Sequence, residues 1–292
     1  MMEQAIQKAA ALVEAHQFIR RFHGKTVVVK IGGSIMNDPN ALTNLIQDIC
    51  FMDAVGMHPI LVHGGGKGIT EAMEKAGLEA QFVQGRRYTD ERTLAIAEHV
   101  LVNQINQAIV EQINQLDHRG MGLHSLSSCV VFARKLFLSS DDGQRKIDIG
   151  YVGEVEWVNG ELLRALLEGG HIPVIAPIAR DRAGSKLNVN ADSVAGQVAV
   201  AVEAEKLVVV SDTHGIRIGG DENSWAEHLT KAQIGHLVED GTINSGMLPK
   251  VEASLSALEA GVAKTHIIDG RIPHSLMLEV YTDQGVGTEI VL

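Results

Sequence analysis

Short hydrophobic runs recur along this chain, separated by longer segments that mix hydrophobic and polar residues. The runs are rich in valine and isoleucine and stay apolar at successive positions, as in TVVVKI at 26–31. Runs of this kind predict strands that are buried on both faces, which is typical of a parallel sheet covered by helices. They lie at 26–31, 59–62, 172–176, 207–210 and 265–268.

The segments between these runs carry hydrophobic residues at three- and four-residue spacing, which predicts amphipathic helices. These cover about 3–22, 42–49, 91–116, 248–260 and 274–280. A hairpin of 130–138 and 145–149 is predicted around the polar turn at 139–143. Strands that alternate with helices indicate an α/β fold with a mostly parallel sheet and helices on both faces. Ligands bind such sheets beyond the carboxyl ends of the strands.

The first predicted helix precedes the first strand and ends near Gly24. Ile6, Ala9, Ala10 and Val13 fall on one of its faces. Such a stripe fits two roles equally, because a helix that packs on its own domain and a helix that grips another subunit both need an apolar face.

Two glycine-rich turns follow the first two strands. In KIGGS at 30–34 a lysine abuts glycines whose backbone N–H groups can approach an anion, although a plain tight turn has the same composition. HGGGKG at 63–68 opens a helix, so its backbone can bind a phosphate or carboxylate. It is neither a Walker A loop nor a dinucleotide fingerprint, because Leu61 and Ile69 occupy required glycine positions. His63 has a simpler alternative role, which is a hydrogen bond to the backbone of this loop.

Two further strings carry polar side chains near predicted helix starts. GRRYTD at 85–90 places an arginine fork, which can hold a carboxylate, before a helix that Thr89 or Asp90 can cap, although taken alone the string is better explained by two solvated arginines. NVNAD at 188–192 is predicted to be extended, so Asn188, Asn190 and Asp192 can line one surface. The alternative is that Asn190 or Asp192 caps the next helix.

Polar residues also follow the strand at 207–210 and open a late helix. SDTHGI at 211–216 lies where the strand ends, and SGMLPKV at 245–251 enters the helix with Lys250 one turn inside it. Taken alone, Lys250 is explained by an exposed helix lysine.

The composition excludes some functions. Lys and Arg number 25 against 36 Asp and Glu, and the formal net charge of −11 disfavours binding to a nucleic-acid backbone. Cys50 and Cys129 form no metal-ligand pattern. The chain shows no signal peptide and no run near the roughly 18 apolar residues of a membrane helix, so we expect a cytoplasmic protein without membrane contact.

The order of the strings is more informative than any one of them. Lys-x-Gly-Gly, His-Gly-Gly-Gly, Arg-x-Thr-Asp, Asn-x-Asn-Ala-Asp, Ser-Asp-x-x-Gly and Gly-Met-x-x-Lys, in this order within 26–292, resemble the amino acid kinase family. GRRYTD, DIGYVGEV, LNVNAD and the C-terminal HIIDGRIPHSLMLEVYTDQGVGTEI are similar to its acetylglutamate kinase branch. The resemblance implies a three-layer αβα sandwich in two lobes. It divides the chain into an oligomerisation helix (1–23), an amino-acid-substrate lobe (24–200) and a nucleotide and effector lobe (201–292).

The reaction that the resemblance implies is transfer of the γ-phosphoryl group of ATP to the side-chain carboxylate of N-acetyl-L-glutamate, the second step of arginine biosynthesis. Mg²⁺ is expected to arrive bound mainly to ATP, so no protein metal ligand is implied. The implied catalytic residues are Lys30, Lys250 and Asp192. The implied substrate residues are Gly65 and Gly66 for the reacting carboxylate and Arg87 and Asn188 for the α-carboxylate. The implied nucleotide residues are Gly32, Gly33, Ser211, Asp212 and Gly215.

Members of this family that arginine inhibits carry a similar N-terminal helix and C-terminal segment. The resemblance therefore implies arginine as an inhibitor and a homohexamer built as a trimer of dimers. The candidate effector residues are Lys206, Glu279, Gly285 and Gly287. For Glu279 the alternative is an ordinary surface carboxylate of a helix.

The chain departs from the family pattern at three places near the expected substrate. Lys67-Gly68 replaces a proline and a polar residue, Asn103-Gln104 replaces Gly-Lys, and HSLSSC at 124–129 replaces Gly-Lys-Asp-Gly. A kinase for N-acetyl-2-aminoadipate in lysine synthesis stays open, because a hydrophobic pocket distinguishes one methylene by only about 1–3 kcal/mol. The other alternative, a non-catalytic arginine sensor, is disfavoured by the retention of Lys30, Asp192 and Lys250.

Overall fold

The structure is a computed structural model that describes residues 2–32, 34–140, 143–218, 224–244, 246–282 and 285–292, apart from the side chain of Lys8. Gly33, Asp141-Asp142 of the predicted hairpin turn, Ser245 of the SGMLPKV string and Asp283-Gln284 of the C-terminal segment lie outside the described residues.

The strands and helices follow the alternation predicted from the sequence. The strands are β1 (Thr26–Ile31), β2 (His58–His63), β3 (Phe82–Val83), β4 (Arg86–Arg87), β5 (Gly120–Leu123), β6 (Val131–Ser139), β7 (Lys146–Val158), β8 (Ile172–Ile175), β9 (Ile178–Arg180), β10 (Lys186–Val189), β11 (Lys206–Ser211), β12 (His228–Thr230), β13 (Lys264–Asp269) and β14 (Gly287–Val291). The α-helices are α1 (Met2–Phe22), α2 (Pro39–Ala54), α3 (Gly66–Lys75), α4 (Glu91–Glu98), α5 (Gln107–Gln115), α6 (Gly160–Glu168), α7 (Ala191–Ala201), α8 (Lys231–Glu239), α9 (Leu248–Glu259) and α10 (Ser275–Tyr281).

Within the described residues, the central sheet has eight strands in the order β12-β14-β13-β11-β1-β2-β8-β5. The pairings from β13 to β5 along this order are all parallel, whereas β14 runs antiparallel to β13. The predicted mostly parallel sheet is therefore confirmed. Parallel pairing also explains why the strand runs are hydrophobic at every position, since helices cover both faces.

Alternate residues of the central strands face two separate helix layers. Val28 and Val209 pack with α6, α7 and α9 on one side of the sheet. Val29 and Val208 pack with α2, α5 and α10 on the other. These valine side chains have no exposed surface, and burial of such a side chain contributes about 1.5–3 kcal/mol. The two layers confirm the predicted αβα sandwich.

A second, smaller sheet of β10, β7, β6 and β9 closes on itself beside the central sheet. The β6–β7 pair is the predicted hairpin, but β7 continues to Val158, well beyond the predicted end at 149. The short strands β9 and β10 were not among the predicted strands, because their sequences, IAR and KLNV, contain polar residues and no continuous hydrophobic run.

The predicted helix at 91–116 is one continuous helical segment with an unexpected middle. Its α-helical ends, α4 and α5, flank a π-helical stretch at His99–Asn106. Asp90 caps the start of α4 by accepting a hydrogen bond from the Thr93 N–H (2.7 Å), as the sequence allowed. Short π-helical stretches are rare and often lie at functional sites.

Most of helix α1 projects away from the rest of the chain. Ile6, Leu12 and Val13 are each more than 60% exposed, whereas Phe18 and Phe22 near its C-terminal end are buried against the core. The apolar face predicted from the sequence is therefore largely uncovered within one copy of the chain.

In the described part of the chain, no helix is both long enough and apolar enough to cross a membrane.

Candidate active site

The ends of β1, β2 and β11 place the glycine-rich turns side by side. Lys30 pairs with Val62 of β2 on one side and Val209 of β11 on the other. Because the three strands are parallel, the loops that follow them meet at one edge of the sheet. The predicted location of the chemistry is therefore one contiguous region.

A buried ion pair lies at the centre of this edge. Lys30 Nζ is 2.8 Å from Asp192 Oδ1, and the two side chains are only 6% and 10% exposed. Asp192 lies in the first turn of α7, and Asn190 rather than Asp192 caps that helix by accepting from the Ser193 N–H (3.0 Å). Asn190 is therefore the helix cap, and the Asp192 carboxylate remains available to pair with Lys30.

Lys250 approaches the same pair from the far end of the chain. Its Nζ donates to the Gly246 carbonyl at 2.6 Å, which folds the side chain back over the start of α9. Burial lowers the pKa of Lys250 and the Lys30 charge acts in the same direction, whereas the Asp192 and Asp212 carboxylates oppose both. Lys250 therefore lies within electrostatic range of both members of the Lys30–Asp192 pair.

A cavity of about 250 Å³ opens beside the ion pair. Its lining includes Lys30, Gly65, Gly66, Arg87, Asn188 and Asp192. The structure therefore brings together every residue that the sequence assigned to the amino-acid substrate and two of the three assigned to catalysis. Lysine, arginine and glycine backbone in one cavity suit an anionic ligand.

Arg87 is held in place before any ligand arrives. Its Nη2 donates to the Gly66 carbonyl (2.9 Å) and to Thr70 Oγ1 (2.7 Å), and its guanidinium lies 4.8 Å from the centre of the Phe82 ring. Burial lowers the pKa of Arg87, but a guanidinium stays charged in proteins. A guanidinium has five N–H groups, so these contacts leave capacity for a carboxylate.

The glycine turn at the start of α3 needs glycine for packing. A Cβ on Gly65 would come within 2.5 Å of Leu101 Cδ2, which belongs to the π-helical stretch. Gly66 begins α3, and the first N–H groups of a helix have no partner within it. Backbone donors can therefore face the cavity without a side chain in front of them.

The residues assigned to the nucleotide follow β11 on the other side of Lys30. Ser211 is buried at the end of β11, and its hydroxyl lies 3.4 Å from Asp212 Oδ1. Gly215 has a φ of +137°, and a Cβ there would lie 2.4 Å from Thr288 Oγ1. The Gly32 N–H already donates to the Val210 carbonyl at 2.9 Å, so as a phosphate donor it would have to exchange that bond.

The predicted effector residues line a separate, larger cavity of about 640 Å³. It lies at the opposite end of β11, where Lys206 begins the strand. Its walls include Lys206, Glu279, Gly285 and Gly287 together with Phe18, Arg21 and Phe22 of α1. All four predicted effector residues and the end of the N-terminal helix therefore meet at one cavity.

Buried charges dominate this second cavity. Glu279 Oε1 lies 3.2 Å from Lys206 Nζ and 3.0 Å from His266 Nε2. Glu279 is only 7% exposed, so it is not the surface carboxylate that remained open from the sequence. Burial and the nearby Lys206 charge lower the pKa of His266 to about 2, so its imidazole is neutral. Burial also lowers the pKa of Lys206, and Glu279 opposes that shift.

Sequence reasoning missed His266 and Lys264 in this cavity. Both lie on β13, where they pair with Val208 and Lys206 of β11. The available signal was the alternation of polar residues at 264 and 266 within an otherwise buried strand, which points both side chains to one face of the sheet.

The departures at 124–129 build a polar cluster beside the small sheet. Ser125 Oγ donates to Glu98 Oε1 (2.7 Å), and Lys186 Nζ binds Glu98 Oε2 at the same distance. Arg180 Nε donates to the Ser125 carbonyl (2.9 Å). Lys67 lies in the first turn of α3 and lines a shallow cavity that also touches Arg87 and Phe82.

Comparison with known proteins identifies the family of this chain. Residues 25–269 match the amino acid kinase family. A protein of Methanothrix thermoacetophila named acetylglutamate kinase is 46% identical over 286 residues, covering 98% of this chain and 99% of that protein. Another of that name, from Symbiobacterium thermophilum, is 44% identical and covers both chains completely.

Solved structures show the same fold. N-acetylglutamate synthase from Neisseria gonorrhoeae, solved with coenzyme A and N-acetyl-glutamate, is similar with a TM-score of 0.86 and 25% identity. The match covers 97% of this chain but only 63% of that synthase chain. Carbamate kinase from Giardia has a TM-score of 0.65 at 15% identity, over 92% of this chain and 99% of that one, which shows the fold alone. The chain therefore belongs to the amino acid kinase family and, within it, to the acetylglutamate kinases.

Proposed function

We propose that this protein transfers the γ-phosphoryl group of ATP to the side-chain carboxylate of N-acetyl-L-glutamate, the second step of arginine biosynthesis. One observation carries the proposal: the buried Lys30–Asp192 ion pair borders a cavity lined by Arg87 and glycine backbone, and Lys250, from the opposite end of the chain, is close enough for both charges to affect its pKa. The names of the near full-length relatives support the choice of substrate.

The chemistry needs positioning more than proton transfer. A carboxylate oxygen of the substrate attacks the γ-phosphorus, a new P–O bond forms, and the bond to the β,γ-bridging oxygen breaks to release ADP. The attacking oxygen is already an anion, so no general base is required. The barrier is then lowered by neutralising charge on the travelling phosphoryl group, which is the role we assign to the Lys30 and Lys250 ammonium groups. Asp192 positions Lys30 and keeps the lysine pair from repelling before ATP binds.

Substrate recognition divides between two parts of the cavity. We assign the α-carboxylate to Arg87 and Asn188, because the Arg87 fork is preorganised by Gly66 and Thr70. We assign the reacting carboxylate to the backbone of Gly65 and Gly66, because this turn follows β2, which pairs with the strand of Lys30.

We place ATP against the loops after β1 and β11, with Ser211, Asp212, Gly215 and the turn at Gly32-Gly33 as its contacts. Among the described residues, no group of three or more His, Cys, Asp or Glu side chains is placed to hold a metal ion. Asp192 is paired with Lys30, so we expect Mg²⁺ to be held mainly by the ATP phosphate oxygens, where it neutralises their charge.

Arginine is the effector that best fits the larger cavity. A free arginine needs a carboxylate for its guanidinium and a cation for its own carboxylate, and Glu279 and Lys206 supply one of each. Carbonyl groups around Gly285 and Gly287 can accept further guanidinium protons. Because Phe18 and Phe22 of α1 form part of the wall, we further propose that arginine binding is sensed by the N-terminal helix.

The exposed face of α1 supports a role in assembly. We propose that residues 1–23 join neighbouring copies, giving a hexamer built as a trimer of dimers. We divide the remainder into a substrate lobe (24–200) and a nucleotide and effector lobe (201–292), since the cavity residues around Arg87 precede 200 and both the β11 loop and the effector cavity lie mainly beyond it. With ATP as phosphoryl donor, we expect the enzyme to act in the cytoplasm.

The direct test is an ATP-dependent assay in which hydroxylamine traps the acyl phosphate. We expect product with N-acetyl-L-glutamate and less with N-acetyl-2-aminoadipate under identical conditions, and inhibition by added arginine. Faster turnover of the longer acid would reassign the substrate. No product above the control without enzyme would reject the kinase activity and leave only an arginine-binding role.

A further inference from the structure

His63 is buried directly beneath the glycine turn that the proposed function assigns to the reacting carboxylate. It ends β2 and has no exposed surface. Its Nδ1 lies 2.9 Å from the Gly64 carbonyl oxygen, and its Nε2 lies 3.1 Å from Asn106 Nδ2. Both ring nitrogens are therefore engaged inside the protein rather than by a ligand.

These two contacts fix the tautomer of the ring. A carbonyl oxygen can only accept, so Nδ1 must carry the proton and donate it to Gly64. Burial lowers the pKa of His63 to about 4, so the ring is neutral and Nε2 has a free lone pair. Asn106 Nδ2 must then donate to that lone pair, and it also donates to the Val174 carbonyl at 2.9 Å. The amide thus has a defined orientation as well, because both of its partners are acceptors.

The bond to Gly64 also sets the direction of the next amide. In a trans peptide the C=O and N–H groups point to opposite sides, and no cis peptide occurs in the described residues. With the Gly64 carbonyl turned toward the buried ring, the Gly65 N–H faces away from it. The Gly64 N–H is tied to the Ile31 carbonyl (2.9 Å), so the turn is held on both sides. Gly64, Gly65 and Gly66 line the cavity whereas His63 does not, so an N–H that points away from the ring is directed to the cavity side.

The π-helical stretch holds this arrangement from below. Asn106 is its last residue, and Leu101 of the same stretch packs against Gly65. On its other side Asn106 presses against Gly122 of β5, where a Cβ would lie 2.4 Å from Asn106 Oδ1. Glycine at 122 therefore leaves the space in which the amide reaches both His63 and Val174.

The geometry points to His63 as a positioning residue for phosphoryl transfer: with Asn106 as its support, it turns the Gly65 N–H toward the reacting carboxylate without touching the substrate. This role rests on the proposed function, and it goes beyond the alternative that His63 merely stabilises the loop. A loop anchor affects folding alone, whereas a positioning residue affects the turnover of folded enzyme.

Substitutions at 63 separate the two ring positions. His63→Asn places an amide nitrogen near the position of Nδ1 and can still donate to Gly64, whereas His63→Gln places it near Nε2 and cannot. His63→Leu removes both groups. We expect kcat for acetylglutamate to fall about 10²-fold in the Gln and Leu variants, as when a donor is lost from an oxyanion site, and about tenfold or less in the Asn variant. The KM for ATP should stay within about twofold, because ATP phosphates bind on the other side of Lys30.

Gly122→Ala tests the support without changing any residue of the cavity. The added methyl group displaces the Asn106 amide, so we expect a smaller fall in kcat with the same unchanged KM for ATP. Ile113→Ala is the stability control, because Ile113 is fully buried in α5 and is not among the residues that line the cavity. It should lower the melting temperature and leave the kinetic constants unchanged below it.

The tautomer provides a readout that does not depend on activity. Nitrogen and carbon NMR shifts of the labelled protein, assigned by comparison with His63→Asn, should show a neutral ring protonated at Nδ1. An Nε2-protonated ring overturns the proposal whatever the substrate is. So does kcat within about threefold of wild type in the Gln variant, or an Asn variant no better than the Leu variant. If the wild-type protein shows no activity toward acetylglutamate, the proposed function is refuted instead. The tautomer measurement does not depend on that activity, so it keeps the two failures distinguishable.

Discussion

Asp192→Asn is the substitution that most directly tests the charge arrangement at the active site. At a separation of 2.8 Å the Lys30–Asp192 attraction amounts to about 6 kcal/mol with an effective dielectric constant near 20. Part of this offsets the cost of burying both charges, so removing one partner should cost about 3–5 kcal/mol of unfolding free energy. For a chain of this length that corresponds to a fall in melting temperature of about 5–8 °C.

The same substitution should increase the stabilisation by ATP, although it lowers the stability of the free protein. Without Asp192, Asp212 is left to offset the repulsion between Lys30 and Lys250, so a bound anion relieves more repulsion than in wild type. We therefore expect ATP to raise the melting temperature of Asp192→Asn by more than it raises that of wild type. We also expect kcat to fall about 10²–10³-fold, because Lys30 loses the partner that positions it. The Asp192 charge raises the pKa of Lys250, so the alkaline limit of activity should move to lower pH in the variant.

Asp148→Asn is the matched control. Asp148 and Lys135 form an ion pair of similar length, 2.7 Å, but their side chains are 54% and 42% exposed. Such a pair contributes about 1 kcal/mol or less, so stability and kcat should hardly change. Equal effects of the two substitutions, or a smaller ATP response in Asp192→Asn than in wild type, would refute the reasoning.

Four further outcomes follow from the same geometry. Lys250→Ala should fold normally and lose about 10³-fold in kcat, and near-normal kcat would remove it from the mechanism. Glu279→Gln should raise the arginine concentration needed for half-maximal thermal stabilisation about ten- to a hundredfold, because arginine loses a charged hydrogen-bond partner. An unchanged concentration would place arginine elsewhere. Val13→Glu, on the exposed face of α1, should reduce the particle mass in light scattering, and an unchanged mass would exclude that face from assembly. The unfolding free energy should fall as the pH drops from about 6.5 toward 4, because the unfolded chain takes up protons that folded His63 and His266 do not bind. His63→Asn should remove about 3 kcal/mol of that fall by pH 4, as measured by urea titration at each pH. An unchanged slope would mean that burial does not lower the pKa of His63 in the folded state.

The sequence was sufficient for the central strands because burial on both faces leaves a strong signal. TVVVKI at 26–31 and the run at 207–210 are hydrophobic at nearly every position, and they pair side by side in the centre of the sheet. Strands β9 and β10 carry no such signal, since they are three and four residues long and belong to a small closed sheet. Their existence depends on pairing with β6 and β7, which local pattern does not encode.

At the candidate site, the sequence predicted some residues but could not separate the roles of neighbouring ones. Asn190 and Asp192 looked equivalent in the sequence, but only Asn190 has the extended backbone of a helix cap, and Asp192 meets Lys30 because α7 follows β10. Asn106 gave no signal at all. It lies in a helical pattern that continues through it, and only the π-helical turn directs its amide toward a histidine 43 residues away.

The two cavities lie at opposite ends of one buried strand. Lys206 opens β11 in the effector cavity and Ser211 ends it beside the Lys30 turn, and five steps of about 3.3 Å separate them by about 16 Å. Direct charge interaction over that distance is weak, so the proposed inhibition by arginine would have to favour one of two arrangements of elements that reach both ends. Any such coupling between binding sites is reciprocal. If arginine weakens acetylglutamate binding, acetylglutamate must weaken arginine binding by the same factor. The rearranging element must then include groups that line the cavity of Lys206 and Glu279, because a ligand shifts an equilibrium only through the groups that it binds differently in the two states.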